Sequence, residues 1–253
     1  MNISIQKASI GKRIIASIFD GILLSILAVA LATLLSLAFG YDGYMDTVNG
    51  AYAQYEQEYG IKFNITAEEY EKLSDEQKAK YEEANKALSE NQEVVYAYNM
   101  LISLTMLVLT FSILLSVVAV EFAVPLMLGN GQTLGKKIFG IAVIHNETIK
   151  ASNVQLFIRA VLGKFALELM IPLSIVIMIF FGTIGVISIP ILLILLVVQL
   201  ICFFTSHTNA LLHDTLAGTV AVDLASQRIF EDREKLLEYK KALHAEEVAK
   251  STY

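Results

Sequence analysis

From Leu169 to Leu212 the sequence contains no Asp, Glu, Lys or Arg, a run of about 44 residues. As one helix it would exceed roughly 60 Å, about twice the hydrocarbon thickness of a bilayer. It must therefore fold back on itself. Gly182-Thr-Ile-Gly185 near its middle is the natural turn, giving antiparallel spans over about 165–181 and 186–205. Pro172 and Pro190 are tolerable there as kinks. Two further apolar runs precede this pair, about 14–39 and 96–128. Hydrophobic residues make up 55% of the 253 and charged ones 17%, well below the quarter usual in soluble domains. The fold class expected is an all-α integral membrane protein, a four-helix transmembrane bundle.

The first run carries an unusual charge. Arg13 stands at its mouth and Asp20 lies inside it, seven residues on, so both share one helix face with Ser17 between them. A carboxylate at membrane depth costs about 2.5–3.5 kcal/mol on insertion scales, so Asp20 needs a partner within the protein. Arg13 and Arg159 are candidates, and Asp214 is a second acid that could share a cation. The run is long enough to span and follows no cleavable leader, so the first helix is expected to stay as an anchor.

Between the first two spans lies a segment of another kind. Residues 41–95 hold thirteen Asp and Glu against five Lys. Thr66-Ala-Glu-Glu69 and Ser74-Asp-Glu-Gln77 both match capping boxes, so at least two helices start here. The second could continue without a break into the next span. This is expected to be an acidic helical extracytoplasmic insertion, either a solvated excursion or a cap that binds a ligand or partner.

In the second span Glu121 precedes Pro125 by four residues, and proline cannot donate to its carbonyl. The freed carbonyl beside an acidic side chain near a membrane surface could bind a cation, but an interfacial glutamate beside a kink is the simpler reading. Gly129-Asn-Gly-Gln-Thr-Leu-Gly-Lys-Lys137 follows. It is no phosphate loop, because neither glycine spacing fits and Lys137 stands where a hydroxyl would hold magnesium. Ile138–Ile144 and Ile149 suggest a small cytoplasmic β-hairpin. Ser152-Asn-Val-Gln155 opens another helix, carrying Arg159, Lys164 and Glu168. The last two are four apart and placed to pair with each other.

His207, His213 and Asp214 follow the last span, without the i, i+4 spacing of helical zinc sites. His213 and Asp214 alone lack the company an active site would need, so neither an enzyme nor a metal or other cofactor is expected. A single cysteine, Cys202, excludes an internal disulfide. The tail from Ser226 to Lys250 reads as a charged helix.

The chain divides as a lead-in (1–13), first span (14–39), acidic insertion (40–95), second span (96–128), Gly-Gln-Thr-Leu-Gly-Lys loop (129–158), helical hairpin (159–205) and tail (206–253). With the N-terminus inside, the cytoplasmic segments hold fourteen of the nineteen basic residues. Both termini are then cytoplasmic and the protein is a multi-pass component of the plasma membrane. The net charge of −6 comes mostly from the insertion, and nothing points to nucleic acid as a partner. The lipid bilayer is the expected surrounding, with a homodimer or another membrane protein as partner.

Arg13 with Asp20, Gly131-Gln-Thr-Leu-Gly-Lys-Lys-Ile-Phe-Gly140, Arg159 and Leu212-His-Asp-Thr-Leu-Ala-Gly-Thr219 together resemble the RDD family of small membrane proteins. The family takes its name from one arginine and two aspartates, which by position are Arg13, Asp20 and Asp214. The resemblance spans about residues 7–222, excluding the acidic insertion. It implies a buried cluster of these three, supported by Ser17, Gln132, Thr133, Gly135, Lys136, Arg159 and His213. It also implies transport of a small ligand, or exchange of cations for protons. A non-transporting structural or regulatory subunit, with the cluster as an ionic lock, is the other reading.

Overall fold

The computed structural model describes residues 4–180 and 188–251. The turn expected at Gly182–Gly185 lies outside the described residues. The protein is predominantly helical, and among the described residues three helices are long and apolar enough to cross a membrane: α1 (Ile10–Ala38), α5 (Gln92–Leu128) and α7 (Asn153–Ile179). Between the first two lie α2 (Tyr41–Tyr59), α3 (Ala67–Glu71) and α4 (Asp75–Glu90). After α5 come the short helix α6 (Leu134–Ile138) and strand β1 (Ile141–His145). A shorter apolar helix, α8 (Ser188–Thr205), follows α7, and then α9 (Leu212–Ala217), β2 (Thr219–Asp223) and the tail helix α10 (Arg233–Ser251). The chain separates into two compact units, residues 29–112 and the remainder.

In the unit of residues 29–112, the two capping boxes form as their sequences require. Thr66 and Ser74 each accept from the backbone N–H three residues on, and Glu69 and Gln77 reach back. Half-buried aromatics form one cluster: Phe63 packs edge-on against Tyr52 and also meets Tyr81, which meets Tyr70. Val48, Ala97 and Leu101 form a second cluster with four flanking residues of α2. The expected continuity of α4 with the next span fails at Asn91. Its backbone turns extended (ψ 105°) and its side chain accepts from the N–H groups of Glu93 and Val94. One residue thus ends α4 and caps α5.

In the other unit, Ile141–His145 is a strand as expected, but its principal partner is not the nearby Ile149. The expected hairpin shrinks to one bridge, Ile144 with Lys150, before Ser152 starts α7. β1 pairs instead with β2, antiparallel, from Ile141 opposite Asp223 to His145 opposite Thr219. Both strands are buried along nearly their whole length, which suits continuous apolar runs better than alternation. Gly140 and Gly218 (φ 64° and 62°) supply the left-handed residue that turns each short helix into its strand. The lead-in joins the same sheet: Ala8 donates to Ala221 and Asp223 to Gln6.

Two of the spans depart from regular α geometry. Val118–Ala123 in α5 and Ile158–Met170 in α7 are π-helical. The first lies just before Pro125, whose missing N–H leaves the ladder short of a donor, and the wider turn absorbs the defect.

Candidate functional site

The two π segments face each other, and the charged residues of the membrane domain collect around them. Asp20 is buried on α1, but its partner is not Arg13. Its Oδ2 accepts from Thr133 Oγ1 at 2.5 Å and its Oδ1 from the Gly135 N–H at 2.8 Å, with Lys136 Nζ 3.5 Å away. Thr133 is the N-cap of α6, where the first N–H groups lack partners within the helix. The buried carboxylate thus meets free donors of a turn instead of a matching charge on its own helix. Gly135 makes the approach close: a Cβ there would lie 2.4 Å from the Ala16 carbonyl and 2.9 Å from Asp20 Oδ1. Gln132 braces the loop by donating to the Ile141 carbonyl at 2.8 Å.

Arg13 turns towards the segment after α8. It donates to the Asn209 carbonyl at 2.7 Å and lies 3.5 Å from Asp214 Oδ2. Asp214 is fully buried and takes its main bond from Arg159 Nε at 2.8 Å, with a second from Thr219 Oγ1 at 3.1 Å. Burial opposes its ionisation, but the Arg159 guanidinium, with Arg13 behind it, holds its carboxyl well below the ordinary value. His213 sits between Arg159 and Glu168: its Nε2 is 3.1 Å from Arg159 NH2 and its Nδ1 2.8 Å from Glu168. An arginine only donates and a carboxylate only accepts, so this geometry fits a neutral imidazole protonated on Nδ1. Burial likewise pushes its pKa below the usual value. Gly163 lets α7 pass close to α9, since a Cβ there would meet His213 Cβ at 2.5 Å.

The site has members that the sequence reading placed elsewhere. Glu121 is buried among cations: Lys164 bonds its Oε1, and Lys136 and Arg159 each stand 3.6 Å from its Oε2. The expected Lys164–Glu168 pair does not form, because the two residues serve Glu121 and His213 instead. In an i→i+5 ladder Arg159 and Lys164, five apart, come towards a common side, which an α-helix would deny them. The only signals in the sequence were Glu121 four residues before Pro125 and two cations five residues apart.

Arg13, Lys136, Arg159 and Lys164 face Asp20, Glu121, Glu168 and Asp214, so the network is formally neutral with His213 neutral. Lys136 holds its proton more loosely than an ordinary lysine. Burial lowers its pKa to about 8, with Lys164 and Arg159 adding to the effect and Glu121 and Asp20 opposing it. Among the described residues, Glu121 Oε2 is the one buried side-chain oxygen or nitrogen with no hydrogen bond. Its residue lines a cavity of about 690 Å³, together with all of these charges except Asp214, and with His213, Ser17, Ile10, Ile14, Ile18, Leu24, Leu169 and Phe203. Asp214 lines a second cavity of about 480 Å³ with Cys202, Ser206, His207 and Thr208.

The family model of the RDD family matches residues 7–218. No curated protein and no solved structure matches the chain.

Proposed function

The chain belongs to the RDD family, and from its charged cavity we propose a multi-pass transporter that carries a small ligand or exchanges cations for protons. The observation that carries the reading is Glu121 Oε2, a buried carboxylate oxygen without a hydrogen bond on a residue that lines the cavity. Buried polar atoms are almost always bonded, and one left unbonded at the edge of a cavity of ligand size marks a place for a ligand, ion or water. Acids at membrane depth are the usual furniture of proton and ion pathways. Arg13, Asp20 and Asp214 would hold the helices around that point, with Lys136 as the group able to give up a proton. In this reading α8 is a fourth span, both termini lie in the cytoplasm, and the protein works in the plasma membrane without covalent catalysis. Support for a common side comes from the sheet, which gathers the lead-in, the loop after α5 and the start of the tail. A homodimer would supply the second half that alternating access commonly uses.

A second reading has one observation in its favour: both oxygens of Asp20 are bonded, as in an ionic lock. Proteoliposomes decide between them. Under the transport reading the wild type shows proton flux driven by an alkali cation or by a carried ligand, and Asp20→Asn and Glu121→Gln abolish it in folded protein. A wild type that moves nothing, with Asp20→Asn lowering only yield and stability, would put the lock in its place.

A further inference from the structure

The cavity has one charged end and one apolar wall, and the wall lies on the outside of the helix bundle. Ile10, Ile14 and Ile18 line it and are still 48%, 54% and 58% exposed. Only Ala16 and Asp20 of α1 are buried, so the helix touches its surroundings along a narrow seam and leaves the cavity open beside it. These positions fall within the first two turns or so of the helix, over about 12 Å of axis from its start, a depth across which headgroups give way to acyl chains.

A ligand that fits must do three things. It must bring a hydrogen-bond donor to Glu121 Oε2, which none of the neighbouring cations supplies at 3.6 Å. It must carry no net charge, because the four cations and four carboxylates already balance and an uncompensated buried charge is costly. It must offer an apolar part to Ile14, Ile18, Leu24 and Leu169. Lys164 adds a fourth condition: its ammonium has three N–H groups, one is bonded to Glu121, and the side chain is 20% exposed. That leaves donors for an anionic oxygen close to the place where the ligand's own donor would sit.

We propose that the cavity binds the head of a membrane aminophospholipid, its primary ammonium on Glu121 Oε2, its phosphate at Lys164 and its chains along the α1 wall. The inference rests on reading this cavity as the ligand site. It separates two common zwitterions, because a primary ammonium can donate to Glu121 Oε2 and a quaternary one, which has no N–H, cannot.

The test uses delipidated full-length protein in detergent, offered equal amounts of phosphatidylethanolamine and phosphatidylcholine with the same acyl chains, with adducts read by native mass spectrometry. Phosphatidylethanolamine should be retained at least tenfold over phosphatidylcholine. Glu121→Gln should bring the ratio close to one. Ile14→Trp, at an exposed wall position, should weaken retention of both lipids about tenfold while leaving the melting temperature unchanged. Free O-phosphoethanolamine at the same concentration should displace neither. Equal retention of the two lipids by the wild type, a preference that survives Glu121→Gln, or displacement by the free headgroup would each overturn the proposal. Loss of all flux in proteoliposomes with lipid preference intact would remove the transport reading and leave this one standing.

Discussion

Arg159 Nε donates to Asp214 Oδ1 at 2.8 Å, joining the π-helical stretch of α7 to the short helix that precedes β2. Both residues are buried, so neither charge can fall back on water if its partner is removed. Removing one member of such a pair typically costs about 3–5 kcal/mol, whereas replacing both with apolar residues is often neutral. Asp214→Leu should therefore unfold in detergent at markedly lower denaturant than wild type. The double variant Asp214→Leu with Arg159→Leu should recover much of that loss, as read by a double-mutant cycle. A double variant worse than either single would show that the pair is worth more than its desolvation.

Two glycines should be intolerant of a single methyl group. Gly135→Ala drives a Cβ to 2.4 Å from the Ala16 carbonyl, and Gly163→Ala drives one to 2.5 Å from His213 Cβ. Overpacking of this kind costs about 1–3 kcal/mol, and more when the obstacle is backbone. Gly11→Ala, also helical but with nothing within 4 Å, is the control and should be neutral or slightly stabilising. Thermal melts of the three purified variants give the comparison.

The proton on Lys136 should leave near pH 8, well below the ordinary lysine value of 10.5. Burial is the first cause, so the shift penalises the charged form in the folded state. Between about pH 8 and 10.5 the unfolded chain then binds the proton and the folded protein does not, and stability rises with pH across that window. Below pH 8 the penalty is fully present. NMR of protein labelled at lysine Cε should show one resonance titrating near pH 8, absent from Lys136→Met. The melting temperature of that variant relative to wild type should fall back as pH rises through the same window.

Asn91 both ends α4 and caps α5 with its side-chain oxygen. Asn91→Ala should cost about 1 kcal/mol, as loss of an N-cap usually does. Amide hydrogen exchange should speed up at Glu93 and Val94 first, where the bonds are lost. Unchanged exchange there would mean that packing alone holds the turn.

The apolar runs were legible because bilayer thickness sets a length that composition reveals directly, and α1 begins only four residues before the expected Ile14. The capping boxes at Thr66, Ser74 and Ser152 were equally legible, since each is a local exchange between residues three apart. What escaped was everything decided over distance. β1 offered no sign that its partner was Thr219–Asp223, because a buried strand shows no alternation to match. Asp20 looked towards Arg13 on its own face, but the stronger offer was the open N-terminus of α6, made by Thr133 and Gly135. Lys164 and Glu168 fitted an α-helical pair, and the π geometry that separated them has no propensity signature in the sequence.

The bond between Asp20 and Thr133 closes a separation of 113 residues. Synthesis adds about 5–20 residues per second, so roughly 6–23 s pass between making the acid and making its partner. Through that interval the carboxylate lacks both donors that meet it in the folded protein, so until Thr133 and Gly135 are made it depends on water or a proton for a charge that costs about 2.5–3.5 kcal/mol at membrane depth.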